Sequence, residues 1–105
     1  MNEVKQNDQK SRYELTVDGE LAGFAQYADR GGQRVVYHTE VFPAFGGRGL
    51  SNVLVTEALA DVRTSGKRLV PVCPLVAAFV EKHPEQGDVA DPVTPEVEEW
   101  VKKTQ

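Results

Sequence analysis

A chain of 105 residues and 11.6 kDa, 40% apolar and 27% charged, has room for one domain with a genuine core and not for two. Its single cysteine excludes an internal disulfide, and its longest apolar run, Leu75 to Val80, is far too short to span a bilayer. The net charge of -4 falls entirely in residues 81–105, and no basic cluster is present, so neither a nucleic-acid backbone nor a membrane is an expected partner.

Residues 1–10 are polar, carry no secretion-signal core and read as a frayed lead, which leaves residues 11–105 as a single domain expected in the reducing cytoplasm. Tyr13, Leu15 and Val17 then alternate with Glu14 and Thr16, the period of a half-buried strand. Asp18-Gly19 suits a tight hairpin turn, because both positions tolerate positive φ. The return strand is expected over Glu20–Tyr27, followed by a glycine-rich turn over Asp29–Gln33. A third strand, Arg34–Phe42, is rich in β-branched and aromatic residues. Strict alternation there puts Val36, His38, Glu40 and Phe42 on one face, and Val35, Tyr37, Thr39 and Val41 on the other.

Pro43 ends that strand, and the glycine-rich loop Ala44–Gly49 follows. Leu50, Val53, Leu54, Ala58 and Val62 then recur at helical spacing up to Ser65-Gly66. Lys67–Cys73 reads as a short buried strand with Pro71 at a bulge or unpaired position. Pro74 opens a helix that runs to about Lys82, Glu85–Val93 reads as a polar loop, and Thr94-Pro95-Glu96 starts a last helix bearing Val97, Trp100 and Val101. Antiparallel strands leading into a β-α-β crossover predict an α/β fold with a mixed sheet in a three-layer-like arrangement.

Three places carry chemistry. Gly46, Gly47 and Gly49, with Arg48 among them and a helix starting at Leu50, form either an anion cradle on helix N-terminal amides or a plain βα turn. The nucleoside-triphosphate version is excluded, since no Lys-Ser/Thr pair follows the glycines. Cys73 precedes a helix, where a thiol is either activated by helix amides or a small core residue. His38 and Glu40, two apart on one strand, are either a general base and its neighbour or a solvent-facing pair. A zinc site is not expected, because His38, His83 and Cys73 lack ligand spacing.

Phe42-Pro43-Ala44-Phe45-Gly46-Gly47-Arg48-Gly49-Leu50-Ser51-Asn52 resembles the coenzyme A loop of the GNAT acetyltransferase superfamily, which reads Arg or Gln, two residues, Gly, one residue, then Gly or Ala. Gly46, Gly49 and Ser51 take those positions, so the central glycine holds while both ends depart. His38-Thr39-Glu40-Val41, Val70-Pro71-Val72-Cys73-Pro74 and Glu81-Lys82-His83-Pro84-Glu85 extend the resemblance to the short stand-alone YjdJ-like acetyltransferases, over about residues 12–101. The resemblance implies a reduced GNAT (acyl-CoA N-acyltransferase) fold that binds acetyl-CoA between two central strands. It implies that backbone groups of Val41 and Phe42 meet the pantetheine arm, and that the amides of Gly47, Arg48, Gly49, Leu50, Ser51 and Asn52 hold the pyrophosphate. It places Cys73 beside the thioester, as acetyl acceptor or as proton donor to the leaving thiolate. The tyrosine that often acts as general acid falls at Val80.

The expected activity is acetyl-CoA-dependent transfer to an amine: a protein lysine, a polyamine or a small metabolite. A CoA-binding module with little catalysis and a redox protein using Cys73 alone are the alternatives. The acidic C-terminal segment favours a basic acceptor.

Overall fold

The computed structural model describes residues 2–104. Strands β1 (Asn2–Asn7), β2 (Arg12–Val17), β3 (Glu20–Arg30) and β4 (Gln33–Val41) are followed by helix α1 (Leu50–Ser65), strand β5 (Arg68–Pro71) and helices α2 (Pro74–Lys82) and α3 (Pro95–Thr104). They make one sheet in the order β1-β2-β3-β4-β5, in which only β4 and β5 pair in parallel, through the α1 crossover. This is the mixed α/β sheet with an antiparallel N-terminal meander that the periodicities predict.

The turn chemistry acts where expected. Asp18 and Gly19 both take positive φ (52° and 85°) between β2 and β3. Gly66, at φ 78°, closes α1 by donating to the Arg63 carbonyl, and the Thr94 hydroxyl accepts from the Val97 amide at 3.2 Å to cap α3. Leu54, Leu59 and Val62 of α1 and Leu15 of β2 are at most 1% exposed, and burying each such side chain is worth about 1.5–3 kcal/mol. α1 and α2 cover one face of the sheet, and α3 covers the other at the β4–β5 end only. There Val97 and Val101 meet Val35 and Val70. Tyr37 and Trp100, both partly buried, pack against this second cluster. Arg12, Glu14, Phe24, His38 and Glu40 lie on the same face outside that cover, partly or fully exposed.

Five expectations need correction. Residues 2–7 are not a frayed lead: they form β1 and pair with the whole of β2. Its polar sequence hides the strand, because an edge strand held by ladder hydrogen bonds needs little apolar content, and only Val4 packs on the core. β3 runs to Arg30, so the turn shrinks to Gly31-Gly32, and β5 ends at Pro71, which is not at a bulge or unpaired but opposite Val36 as the last pair of the ladder, where its missing N–H costs least. Residues 84–89 form 3-10 turns, and Ala90 bridges to Leu69, so the supposed polar loop is built against β5.

The fifth correction reshapes the site. Gln26 pairs with His38 but Tyr27 pairs with Val36, which makes Tyr37 an extra residue, a β-bulge. The predicted single face of Val36, His38, Glu40 and Phe42 is therefore broken. Val36 sits in the core under α1, whereas His38 and Glu40 turn to the opposite, open face, where the His38 ring lies 5.8 Å from that of Phe24. Thr39 and Val41 take the helix-covered side instead.

Candidate functional site

The parallel ladder between β4 and β5 stops at the Val36–Pro71 pair. β5 then leaves the sheet: the Cys73 amide donates once more to the Val36 carbonyl at 2.9 Å, and Pro74 starts α2. β4 continues for five more residues, 37–41, without a strand beside it on that edge. The sheet consequently opens into a wedge, with Cys73 at its vertex and Val41 at its mouth.

The glycine-rich loop sits at this mouth. Pro43–Phe45 make one 3-10 turn, closed by the Gly46 amide on the Pro43 carbonyl at 3.1 Å. Gly47 and Gly49 then take left-handed backbone (φ 78° and 69°), which a side chain would strain. Gly46 is different: its φ is -64°, and an added Cβ would make only an ordinary 3.4 Å contact. Leu50 is buried and anchors the helix, while Gly49 and Ser51 remain accessible. Among the described residues no side-chain cap bonds the start of α1, and no acid occupies its first turn. Its leading amides therefore keep the positive end of a helix 16 residues long available to an anion. Arg48 is exposed beside them, its guanidinium 5.5 Å from the centre of the Phe45 ring. A groove of about 230 Å³ runs over this loop between Val41, Phe45, Ser51 and Leu75. These features fit a pyrophosphate and the chain attached to it.

Of the two residues expected against the pantetheine arm, Val41 lines this groove. The backbone of Phe42 is already engaged, its amide donating to the Ala22 carbonyl (2.8 Å) and its carbonyl accepting from Phe45 (2.9 Å). Asn52 is exposed one step further along, in a second groove.

Cys73 is 5% exposed, and its thiol donates to the Thr39 hydroxyl across the wedge at 3.5 Å. Thr39 escaped the sequence reading; its place two residues before Val41 on the same strand was the available signal. On the other face of β4, His38 Nε2 and Glu40 Oε1 lie 3.3 Å apart, both about half exposed. Strand alternation thus separates Glu40 and His38 from Thr39 and Cys73, on opposite sides of the wedge. Val80, which occupies the position where the resemblance would place a tyrosine acid, packs against Gly87 and the core. Three of the seven acids of the C-terminal segment are offset by cations from elsewhere in the chain: Asp88, Asp91 and Glu96 pair with Arg63, Arg68 and Arg30. Its pull on a basic acceptor is correspondingly weaker than its composition suggests.

The sequence profile of the GCN5-related N-acetyltransferases matches residues 12–89, which contain the sheet from β2 to β5, the loop, the wedge and α2. The chain belongs to this family. Its members use acetyl-CoA. Curated proteins provide no match. Among solved structures, this GCN5-related chain is similar to a GCN5-like protein of Staphylococcus aureus assigned as an N-acetyltransferase (TM-score 0.67, 18% identity, 89% of this chain and 91% of that one). It is also similar to the ribosomal-protein-S18-alanine N-acetyltransferase of Escherichia coli (0.58, 19%, 75% and 54%). A third is the PaiA N-acetyltransferase of Thermoplasma acidophilum in complex with coenzyme A (0.51, 16%, 70% and 48%). At these identities the likeness is one of fold. The chain spans about half the length of the latter two proteins.

Proposed function

We propose that the chain is an acetyl-CoA-dependent N-acetyltransferase of the cytoplasm that acts on an amine. The observation that carries this reading is the juxtaposition of an uncapped, glycine-led helix N-terminus with a wedge in the sheet whose two sides bear different proton-transfer groups. The amides of residues 47–52 and the Arg48 guanidinium bind the pyrophosphate, and Val41 orients the pantetheine arm along β4. Acetyl-CoA supplies, when bound, an acetyl group already activated as a thioester. The amine approaches from the open face of the sheet, where Glu40 accepts a proton from its nitrogen and His38 holds the carboxylate in place. On the covered side, Cys73 keeps a proton on Sγ, oriented by the Thr39 hydroxyl, and delivers it to the sulfur that departs. The buried neighbours of Cys73 exclude water from this step.

Calorimetric titration with acetyl-CoA and with free CoA tests the binding half, and micromolar affinity is expected. Neither ligand binding would reduce the loop to an ordinary turn and end the proposal. For the chemical half, Glu40→Gln should lower kcat about a hundredfold, and Cys73→Ala about tenfold, with little change in acetyl-CoA affinity. Unchanged turnover in Cys73→Ala would make Cys73 a packing residue. The absence of a hydroxyl at Val80 favours a second reading, a CoA-binding module with little catalysis. Tight binding without transfer to any of a panel of amines would select it.

A further inference from the structure

The sheet has two outer edges, and the chain treats them differently. At β5 it covers its own edge: Leu69 bridges to Ala90, the Leu69 carbonyl accepts from the Asp91 amide at 2.7 Å, and the Arg68 side chain bonds Asp91 at 2.9 Å. At β1 the strand order ends, and among the described residues no strand pairs with its outer side. The Tyr27 amide donates to the Ser11 carbonyl at 3.0 Å, so by strand alternation Arg12, Glu14 and Thr16 turn their backbone groups toward β1. Their partners Asn7, Lys5 and Glu3 face inward, and Asn2, Val4 and Gln6 present backbone amides and carbonyls outward. β1 keeps register with β2 over all six residues and contains no proline, so it lacks two of the devices that blunt an exposed edge. Its side chains alternate as well. Val4 packs on the core and Gln6 donates to the Tyr27 hydroxyl at 2.7 Å, both on the α1 side. Glu3 and Lys5 point to the open face, 2.9 Å apart and at least half exposed.

We infer that this edge takes a second copy of the chain, with β1 antiparallel to β1 about a two-fold axis at Val4, so that two sheets become one. The charges select that register. An axis at Val4 sets Glu3 opposite the partner's Lys5 and Lys5 opposite the partner's Glu3. Moving the axis to Glu3 opposes two carboxylates, and moving it to Lys5 opposes two ammonium groups. A slip of one residue opposes side chains that belong to different faces. The lysine discourages unrelated strands, and the glutamate two residues away makes the chain's own copy the partner whose charges match. Because β5 is already covered, pairing closes at two copies rather than growing into a filament. The axis stands normal to the sheet, so His38 and Glu40 of both copies face the same side. The association is weak for two reasons. One six-residue strand pair covers less than the roughly 1,200 Å² of a stable interface, and Glu57 and Asp61, which line the groove beside Val4, bring like charges toward the axis. No residue of the wedge or the glycine loop takes part, so the inference stands apart from the cofactor reading.

Sedimentation equilibrium of the full chain over a concentration series tests this. A monomer–dimer equilibrium with a dissociation constant on the order of 100 µM is expected. Glu3→Lys and Lys5→Glu should each weaken association about tenfold, and an equimolar mixture of the two variants should restore it, because an all-basic edge then meets an all-acidic one. Val4→Pro removes an outward N–H while sparing the bonds to β2, and should leave monomer alone. In amide exchange, Val4 and Gln6 should gain protection as concentration rises, whereas Glu3 and Lys5, bonded to β2, should be protected throughout. Circular dichroism and melting temperature check that each variant is folded. A chain that stays monomeric up to about 1 mM would overturn the inference. So would a dimer that survives Val4→Pro, a mixture that associates no better than its separate variants, or growth beyond two copies.

Discussion

The two halves of β4 obey opposite rules. Over residues 33–36 the strand is paired on both edges, and among the described residues no buried polar side-chain atom lacks a partner. Arg34 is 5% exposed and gives a bidentate pair to Asp29 (2.8 and 3.0 Å) and a hydrogen bond to the Tyr13 hydroxyl (2.8 Å), and its guanidinium lies 4.1 Å from the Tyr27 ring centre. Tyr13 in turn donates to Asp61 at 2.6 Å, and burial pushes its own titration well above the usual phenol range. Over residues 37–41 one edge is open, His38 and Glu40 face water, and the adjoining loop leaves helix amides without partners. The Tyr37 bulge is the boundary. A closed half braces β2, β3 and α1 so that an open half can keep unsatisfied groups, which a ligand rather than the fold then satisfies.

Breaking the closed half should have the largest effect. Arg34→Ala removes the buried guanidinium that bonds Asp29 and the Tyr13 hydroxyl and lies over the Tyr27 ring, and is expected to cost about 3 kcal/mol in urea unfolding. The same pair gives an acid dependence. The Arg34 guanidinium holds the Asp29 carboxyl below its ordinary 3.8, so the stabilisation is complete above that value and fades as pH falls through the lower folded-state value. Asp29→Asn should therefore be less stable than the parent at neutral pH, with the difference shrinking only below about pH 4.

Next comes the joint between the halves. A Cβ on Gly23 would lie 2.4 Å from the Glu40 carbonyl oxygen, so β3 and β4 touch there without room to spare. Gly23→Ala should cost about 1–3 kcal/mol and, by displacing Glu40, lower kcat more than it lowers CoA affinity. In the open half, Gly49→Ala meets empty space but must hold a left-handed backbone, a loss of about 1–2 kcal/mol with weakened CoA binding in calorimetry. The smallest change sharpens the contrast. Gly46→Arg adds a cation where the backbone is relaxed and space exists, and should leave the melting temperature unchanged while raising CoA affinity about fivefold.

Much was legible in the chain itself. The alternation of Tyr13, Leu15 and Val17, the Asp18-Gly19 turn, the helical spacing from Leu50 to Val62 and the Ser65-Gly66 stop are local signals, and each produced the element it implied. The glycine loop was readable for the same reason, because positive φ at Gly47 and Gly49 is a property of single residues. Three things were decided only by tertiary structure. β1 exists because β2 offered it an unpaired edge, which no period within residues 2–7 records. The bulge at Tyr37 arises in the register between two strands, and it alone sends Glu40 to the open face and Thr39 toward Cys73. The two grooves that share Ser51 and Leu75 depend on how α2 lies beside the start of α1. Local conformation follows from neighbours in sequence, whereas pairing, register and clefts follow from whichever distant segments bury the most surface together.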